Sequence, residues 1–290
     1  MARQNFTNWL LFLLLSLVWG SSFILMKTSA EHLNGLQIGS VRIFAAGISF
    51  LPFAVIYISR IPLRKMGIVI LTGLLGNFFP ALLFASAIKE NGESSLASIL
   101  NSLTPLFVIV IGVLFYKAKV ARNKMAGVLM GFAGLVMLSL LRGPVSANDN
   151  GVLLILIATI FYGINVNLVS QYLKGIDGLK IASVSLAIMA IPSAAIMWQQ
   201  NVFSIARYDE EARWSIAVAC LLGIVGSAIA TAVYYILIQR AGGLFASLVT
   251  YAIPIVAMIW GLLADETITA VEIGCLGIIL GGVYLANRSK

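Results

Sequence analysis

Long stretches of this chain contain no charged side chain. Eight such intervals, each bounded by two charged residues, enclose roughly 17 to 26 residues, which as a helix is about the thickness of a bilayer core. The bounding residues are 3 and 27, 65 and 89, 93 and 117, 124 and 142, 149 and 174, 180 and 207, 213 and 240, and 240 and 265. The pattern predicts a membrane protein whose spans are helices.

Two further stretches complete the predicted set of spans. Residues 36–58 are interrupted only by Arg42, and residues 270–287 only by Glu272 near their start. Hydrophobic residues make up 60% of the chain and the mean hydropathy is +1.01, more apolar side chain than one soluble core of 290 residues can bury. We therefore expect an all-α integral membrane protein with ten transmembrane helices, short loops, no soluble domain and a retained first helix.

Lys and Arg are distributed unequally between the loops on the two sides of this predicted topology. The richer side holds residues 3, 60, 64, 65, 117, 119, 122, 124, 174, 180, 240, 288 and 290, and the other holds residues 27, 89, 142, 207 and 213. Because cytoplasmic loops carry the excess of Lys and Arg, both termini are expected in the cytoplasm, with the chain in the inner membrane. The net charge of +8 follows from this topology and predicts no nucleic-acid partner.

The two halves of the chain resemble each other. At one constant shift, "ASILNSLTPLFVIVIGVL" (97–114) aligns with "ASLVTYAIPIVAMIWGLL" (246–263), which places Pro105 over Pro254. Upstream, "VWGSSF" from Val18 aligns with "FYGINV" from Phe161, which places Trp19 over Tyr162. Five spans in each half is an odd number, so the second half would enter the membrane from the opposite side. The sequence predicts two inverted five-helix repeats, residues 1–147 and 148–290.

Several short motifs, in this order, resemble one transporter family. They are "WGSSF" in the first span, Arg42 followed by Phe44 in the second, "LNSLTPLF" in the fourth and a Gly-rich fifth span, with echoes in the second half. Together they resemble the EamA-type members of the drug/metabolite transporter superfamily. The resemblance implies a ten-helix inverted-repeat carrier with a central cavity and peripheral fifth and tenth helices, whose relatives move amino acids, metabolites, nucleosides or drugs.

Polar side chains in the fourth and ninth spans recur at helical spacing. Ser94, Ser98, Asn101 and Pro105 lie at steps of four, three and four residues, so they share one helix face. The ninth span repeats this stripe with Ser247, with Thr250 or Tyr251, and with Pro254. Each proline removes a backbone donor and permits a bend. Pro105 and Pro254 are predicted either as gating kinks or as packing kinks.

Other spans add neutral polar and aromatic side chains to the same predicted chamber. Trp19 and Tyr162 are expected to form its walls, with an interfacial belt as the alternative for Trp19, while Gly20 and Gly163 permit close helix contact. The eighth span adds Ser227, Thr231 and Tyr235, and Asn167 is expected to point elsewhere, so that its replacement changes transport little. The predicted substrate-binding residues are Trp19, Ser22, Asn77, Phe78, Ser98, Asn101, Tyr162, Asn165, Tyr234, Thr250 and Tyr251.

Such a chamber suits a small amphipathic solute such as an amino acid or a nucleobase-like metabolite. Arg42 is the one charge well inside a span, and it is expected to bind a substrate carboxylate, to pair within the protein or to extend to the interface. The acidic residues near the membrane are predicted at helix ends, which favours facilitated diffusion or exchange. Proton-coupled efflux of a drug or nucleoside is the alternative.

Other classes of membrane protein fit the sequence less well. An enzyme would need a nucleophile with a base or a set of metal ligands, and neither HExxH nor GxSxG occurs; no cofactor or metal is expected. A channel would favour rings of charge or carbonyl filters from several subunits. The expected partners are a small-molecule substrate and the lipid bilayer. GxxxG pairs at Gly127/Gly131 and Gly277/Gly281 predict packing within a monomer, or a weak homodimer.

Overall fold

The computed structural model describes residues 2–91, 97, 100–141, 149–263 and 269–287, and no strand occurs among them. The α-helices are α1 (Ala2–Ser29), α2 (Gly35–Tyr57), α3 (Leu63–Gly73), α4 (Phe79–Asn91), α5 (Thr104–Tyr116), α6 (Arg122–Leu141), α7 (Asp149–Tyr172), α8 (Gly178–Gln199), α9 (Val202–Tyr208), α10 (Glu210–Leu221), α11 (Ala230–Ala241), α12 (Gly243–Ser247), α13 (Val249–Leu263) and α14 (Ala270–Asn287). A 3₁₀ turn (Ile58–Arg60) follows α2, and π segments join α3 to α4 (Leu74–Phe78) and α10 to α11 (Leu222–Ile229).

Within the described ranges, seven helices are long and apolar enough to cross a membrane. They are Phe6–Ser29, Gly35–Arg60, Leu63–Lys89, Asn150–Tyr172, Gly178–Gln199, Glu210–Ala241 and Ala270–Asn287. Two shorter apolar helices occupy Thr104–Tyr116 and Gly243–Val256. Large apolar side chains such as Leu10, Leu13 and Leu17 of α1 are exposed on the outer surface, as suits contact with lipid. The protein is therefore a multi-pass membrane protein, and the count of ten spans stays a prediction.

The second helix of each half begins at a polar cap. Asn34 Oδ1 accepts from Gln37 N at 2.9 Å while Gln37 Oε1 accepts from Asn34 N, so each side chain satisfies a backbone donor at the start of α2. Asp177 Oδ1 accepts from Leu179 N at 2.8 Å at the start of α8. Extended without a gap, the alignment that places Trp19 over Tyr162 also places Asn34 over Asp177. The two halves therefore begin equivalent helices with equivalent caps.

Helices α1 and α7 approach their neighbours at equivalent glycines. A Cβ added to Gly20 would lie 2.6 Å from Val256 Cβ of α13, and one added to Gly163 would lie 2.7 Å from Phe107 Cβ of α5. The two glycines are aligned with each other in the repeat, and so are their partners Phe107 and Val256. The expectation that both glycines permit close helix contact is confirmed. The inverted orientation of the halves stays a prediction, which this recurring contact supports.

Glycines also bring α6 and α14 together. A Cβ added to Gly127 would lie 2.6 Å from Gly282 O, and one added to Gly282 would lie 2.5 Å from Gly131 N. The expected packing within the chain is confirmed for Gly127 and Gly131. Among the described residues, a Cβ added to Gly277 would have no neighbour within 4 Å and one added to Gly281 would meet Met130, so packing within the chain is not found at Gly277 and the homodimer alternative stays a prediction there. The contact uses Gly282 because the partner-facing stripe of α14 runs through Cys275, Ile279 and Gly282, which are buried.

Candidate functional site

A central cavity lies between helices of both halves. It is lined by Trp19, Ser22, Phe23, Met26, Arg42, Gly76, Asn77, Phe84, Asn101, Thr104, Tyr162, Asn165, Gly226, Ser227, Thr231, Tyr234, Tyr235, Thr250 and Ile253. The space between these residues is about 810 Å³, counting the part that opens to solvent. Of this space, about 80 Å³ can be occupied by the centre of a water-sized sphere.

Two aromatic pairs line the cavity. Trp19 meets Tyr234 edge to face with ring centroids 4.9 Å apart, and Tyr162 stacks on Phe84 at 5.9 Å. The Trp19 indole also donates from Nε1 to Gly226 O at 3.0 Å, inside the second π segment. Trp19 therefore contacts the second half of the chain, and its role as a cavity wall or in an interfacial belt stays a prediction. Both pairs present apolar faces on which an aliphatic or aromatic group can pack.

Amides and hydroxyls link the two halves across the cavity. Asn77, in the first π segment, accepts at Oδ1 from Thr231 Oγ1 at 2.8 Å and donates from Nδ2 to Tyr235 OH at 3.4 Å. Tyr235 OH in turn donates to Asn165 Oδ1 at 3.4 Å. Both contacts of the Tyr235 hydroxyl are long, and the bonds they form are correspondingly weak. The amide groups of Asn77 and Asn165 can exchange them for contacts with a polar ligand at little cost.

A proline has no N–H, so within a helix it leaves the carbonyl oxygen four residues earlier without its usual donor. For Pro105 and Pro254, hydroxyl groups bond these oxygens. Pro105 lies in the first turn of α5 and Pro254 inside α13, so neither can donate to the carbonyl four residues earlier. Thr104 Oγ1 donates to Asn101 O at 2.6 Å, and Ser102 Oγ donates to Thr250 O at 3.1 Å. Both carbonyls therefore lie beside side chains of the cavity lining. Gating at these prolines stays a prediction.

Most of the predicted binding residues lie in this lining, and Arg42 does as well. Phe78 does not: it is buried in an apolar cluster with Leu82 and Met189, and its ring also contacts that of Phe79. Tyr251 does not either, because its hydroxyl donates to Val128 O at 2.8 Å and its ring lies against Gly131 of α6. Thr250 is thus the member of the predicted stripe that faces the cavity. Ser94 and Ser98 lie outside the described residues. Contact with substrate stays a prediction for all of them.

Several lining residues were not singled out from the sequence. They are Phe23, Met26, Gly76, Phe84, Thr104, Gly226 and Ile253. Most lie one or two helical turns from a predicted residue: Phe23 follows Trp19 by four positions, Thr104 follows Asn101 by three and Phe84 follows Asn77 by seven. Extending each predicted polar stripe by helical periodicity would have found these apolar and hydroxyl neighbours.

Asn167 lies outside the central cavity, on a second one that is also lined by residues of the segments 117–121 and 174–177 and of the junction between α11 and α12 at Gly242. Its Nδ2 donates to Val108 O at 3.0 Å and to Gly163 O at 2.9 Å, so it ties α7 to α5. The second cavity is larger, about 1560 Å³ on the same measure, and Lys119, Lys124 and Lys174 line it. Asn167 thus serves a helix contact.

Asn167→Ala is expected to lower thermal stability while transport per folded molecule changes little. The substitution removes an interhelical hydrogen bond, worth about 0.6 kcal/mol on average and at most about 1.7 between membrane helices. Melting of the purified protein measures the first effect and reconstituted uptake the second. Ser170→Ala is the matched control, because among the described residues the Ser170 hydroxyl bonds only Asn167 O, within its own helix. A large loss of uptake with unchanged melting would contradict a structural role.

The sequence profile described as the EamA-like transporter family matches this chain twice, over residues 7–140 and 149–288. The chain belongs to the EamA-like transporter family. The two matches follow each other and together cover nearly all of its length. The predicted division after residue 147 lies in the interval between them and stays a prediction.

Individual relatives of this EamA protein are also described as transporters. It is 28% identical over 284 residues to the "Uncharacterized inner membrane transporter YedA" of Escherichia coli (strain K12), covering 95% of this chain and 89% of YedA. It is 27% identical over 128 residues to a "Probable amino-acid metabolite efflux pump" of Salmonella typhimurium, covering 43% of this chain and 40% of the pump. A protein crystal structure with 17% identity matches 97% of this chain and 96% of its own at a TM-score of 0.73, which shows a shared fold.

Proposed function

We propose that this chain is a secondary transporter that carries a small amphipathic metabolite, such as an amino acid, across the inner membrane by alternating access. The observation that carries the proposal is the composition of the cavity. Ten of its lining residues come from the first matched segment and nine from the second. A rotation of one half against the other would therefore change access to the site from either side.

The chemistry of the lining supports an amphipathic solute. Trp19 and Tyr162 belong to walls with apolar faces, whereas Asn77, Asn165 and Tyr235 present amide and hydroxyl groups. A solute with one apolar and one polar end would satisfy both regions at once. The printed name of the Salmonella relative, an amino-acid metabolite efflux pump, supports amino acids and the direction of export.

The orientation and assembly of the carrier follow from other features. The excess of Lys and Arg in alternate loops supports cytoplasmic termini. Gly127, Gly131 and Gly282 are used for contact between α6 and α14 of one chain, which supports a monomer, or at most a weak homodimer. The lipid bilayer and the solute are the proposed partners.

Uptake of radiolabelled amino acids and nucleobases into proteoliposomes, with and without an imposed pH gradient, tests the proposed function. Saturable, gradient-independent uptake of amino acids would support a facilitator or exchanger. Gradient-dependent uptake, or uptake of nucleobases alone, would favour the proton-coupled efflux alternative. Absence of uptake for every compound would contradict the proposal.

Tyr162→Ala and Asn101→Ala are expected to lower this uptake by about three- to tenfold each. The estimate follows from the loss of one aromatic face or one amide hydrogen bond to the solute. Thr159→Ala is the matched control, because Thr159 is buried and, within the part of the chain that the structure describes, its hydroxyl bonds only Ile155 O of its own helix. Initial rates normalised to folded protein measure the effect. Equal uptake rates for all three variants would show that Tyr162 and Asn101 do not contribute to the binding site.

A further inference from the structure

Arg42 brings a positive charge into the central cavity. Among the described residues that line the cavity, it carries the one charged side chain. Its Nε donates to Ser227 Oγ at 2.6 Å, across the contact between α2 and the second π segment. A cation inside a membrane protein is costly and is normally found with a partner or at a functional site.

The hydrogen bond to Ser227 fixes the guanidinium by one edge. It uses Nε, and within the described part of the chain the two terminal nitrogens have neither a hydrogen-bond acceptor nor a carboxylate partner. The terminal nitrogens are the pair whose parallel N–H groups match the two oxygens of a carboxylate. Ser227 therefore orients the guanidinium and leaves its anion-binding end to a ligand.

Packing at this position does not require an arginine. A Cβ added to Gly223 would lie 2.2 Å from Arg42 O, which shows how closely the second π segment approaches α2. The other half makes a similar contact between Gly73 and Ser185 O, at 3.0 Å by the same measure. Ser185 corresponds to Arg42 in the alignment that places Tyr162 over Trp19, so a serine suffices for the equivalent helix contact. The charge of Arg42 is therefore not needed for this helix contact.

We propose that Arg42 is the anchor for the carboxylate of the transported solute, and that this carrier selects small monocarboxylates with an aliphatic or aromatic body. The inference rests on the proposed transport function. It adds that the carboxylate is required, whereas an α-amino group is accepted but not required. An ammonium group would meet only neutral oxygens, such as those of Asn77 and Asn165, and the aromatic faces of Trp19 and Tyr234. A single cation matches one carboxylate better than a doubly charged phosphate.

A matched series of compounds separates the two ends of the solute. L-phenylalanine has both groups, 3-phenylpropionate lacks the amine, 2-phenylethylamine lacks the carboxylate and L-phenylalaninamide has the carboxylate neutralised. Each is tested for binding to the purified full-length protein by calorimetry, with L-leucine, 4-methylpentanoate and 3-methylbutylamine as an aliphatic set. We expect the acids to bind and the amines and amide to bind at least about tenfold more weakly.

Variants connect that selectivity to Arg42. Arg42→Gln is expected to weaken binding of the acids by roughly 10- to 100-fold, as loss of a charge-assisted hydrogen bond predicts, and to leave the amines unchanged. Arg42→Lys keeps the positive charge but lacks the two parallel N–H donors, so its affinity for the acids should lie between those of the wild-type protein and Arg42→Gln. Arg42→Ser introduces the residue found at the equivalent position of the second half, and its affinity should match that of Arg42→Gln. Arg213→Gln is the control, because Arg213 is exposed and pairs with Glu210 at 3.0 Å.

The outcomes distinguish this inference from the proposed function. Binding of the amines or the amide as tight as that of the acids would overturn it, as would wild-type affinity for acids in a folded Arg42→Gln protein. If Arg42→Gln does not fold, Arg42→Lys and Ser227→Ala supply the same test, because both should weaken binding of the acids and leave binding of the amines unchanged. Uptake of nucleobases or amines without acids would overturn the role of Arg42 and leave transport standing. Uptake of none of these compounds would contradict both the role of Arg42 and the proposed transport function.

Discussion

Gly282→Ala is expected to lower the melting temperature of this transporter by about 5 °C or more, the largest effect on stability that we predict for a single added methyl group. The new Cβ would lie 2.5 Å from Gly131 N and 2.6 Å from Gly127 O. These are backbone atoms of α6, which cannot rotate out of the way as a flexible side chain can. Helices α6 and α14 would have to separate over the length of their contact.

Gly277→Ala provides the matched control in the same helix. No atom of the described residues lies within 4 Å of a Cβ at this position, so the added methyl group meets no neighbour among them. Alanine has a higher helix propensity than glycine by about 1 kcal/mol, and the control should melt at an equal or slightly higher temperature. Thermal unfolding of both variants in one detergent makes the comparison. Equal melting of the two proteins would show that the close contact of α6 and α14 does not contribute to stability.

The glycines also show what a sequence motif can and cannot reveal about packing. GxxxG correctly indicated a contact at Gly127 and Gly131, but the partner helix uses Gly282 in place of Gly277. Spacing identifies a stripe of small residues along a helix, and α14 has glycines on more than one face. Which stripe meets a partner depends on the rotation of the whole helix, and that is set by contacts with residues far away in the chain.

Within the described ranges, seven of the predicted spans are confirmed as helices long and apolar enough to cross a membrane, and they were predictable because lipid favours apolar residues along the whole helix. Helical structure occupies part of each of the ten predicted stretches, and α9 is a short helix that was not predicted. The face of each helix was harder to predict. A π segment changes the hydrogen-bond register, so the periodicity of 3.6 residues fails across Leu74–Phe78, where Asn77 faces the cavity and Phe78 packs against Phe79.

Hydrogen-bond partners that are far apart in the chain could not be predicted from the sequence. The Arg42 charge was evident, but its bond to Ser227 joins residues 185 positions apart. The two π segments, Leu74–Phe78 and Leu222–Ile229, lie in corresponding places of the halves, since the alignment of Pro105 with Pro254 superimposes them. Each brings polar lining residues to the cavity, as π segments often do at functional sites. The repeat was visible in the sequence, whereas this local geometry was not.

Asn77→Ala is expected to reduce transport by at least about tenfold, the largest effect on uptake that we predict for a neutral side chain. Asn77 joins Thr231 and Tyr235 through one amide, so its loss removes two hydrogen bonds between the halves as well as a polar group from the cavity. The Thr231 hydroxyl would lose its acceptor at 2.8 Å, and the Tyr235 hydroxyl would lose its contact with the Asn77 amide and keep its long contact with Asn165. Initial uptake into proteoliposomes, per folded molecule, measures the loss.

Two companion variants separate a role in transport from a role in folding. Ser193→Ala also removes a buried polar group. The Ser193 hydroxyl has Met189 O of its own helix as its one hydrogen-bond partner in the described ranges, so uptake should stay near the wild-type rate. Thr231→Val removes the other partner of the 2.8 Å bond, and combined with Asn77→Ala it should cost less than the sum of the single effects. Additive losses would mean that Asn77 and Thr231 act separately. Non-additive losses with unchanged melting would place their hydrogen bond in the transport cycle, because it joins the half that contains Asn77 to the half that contains Thr231.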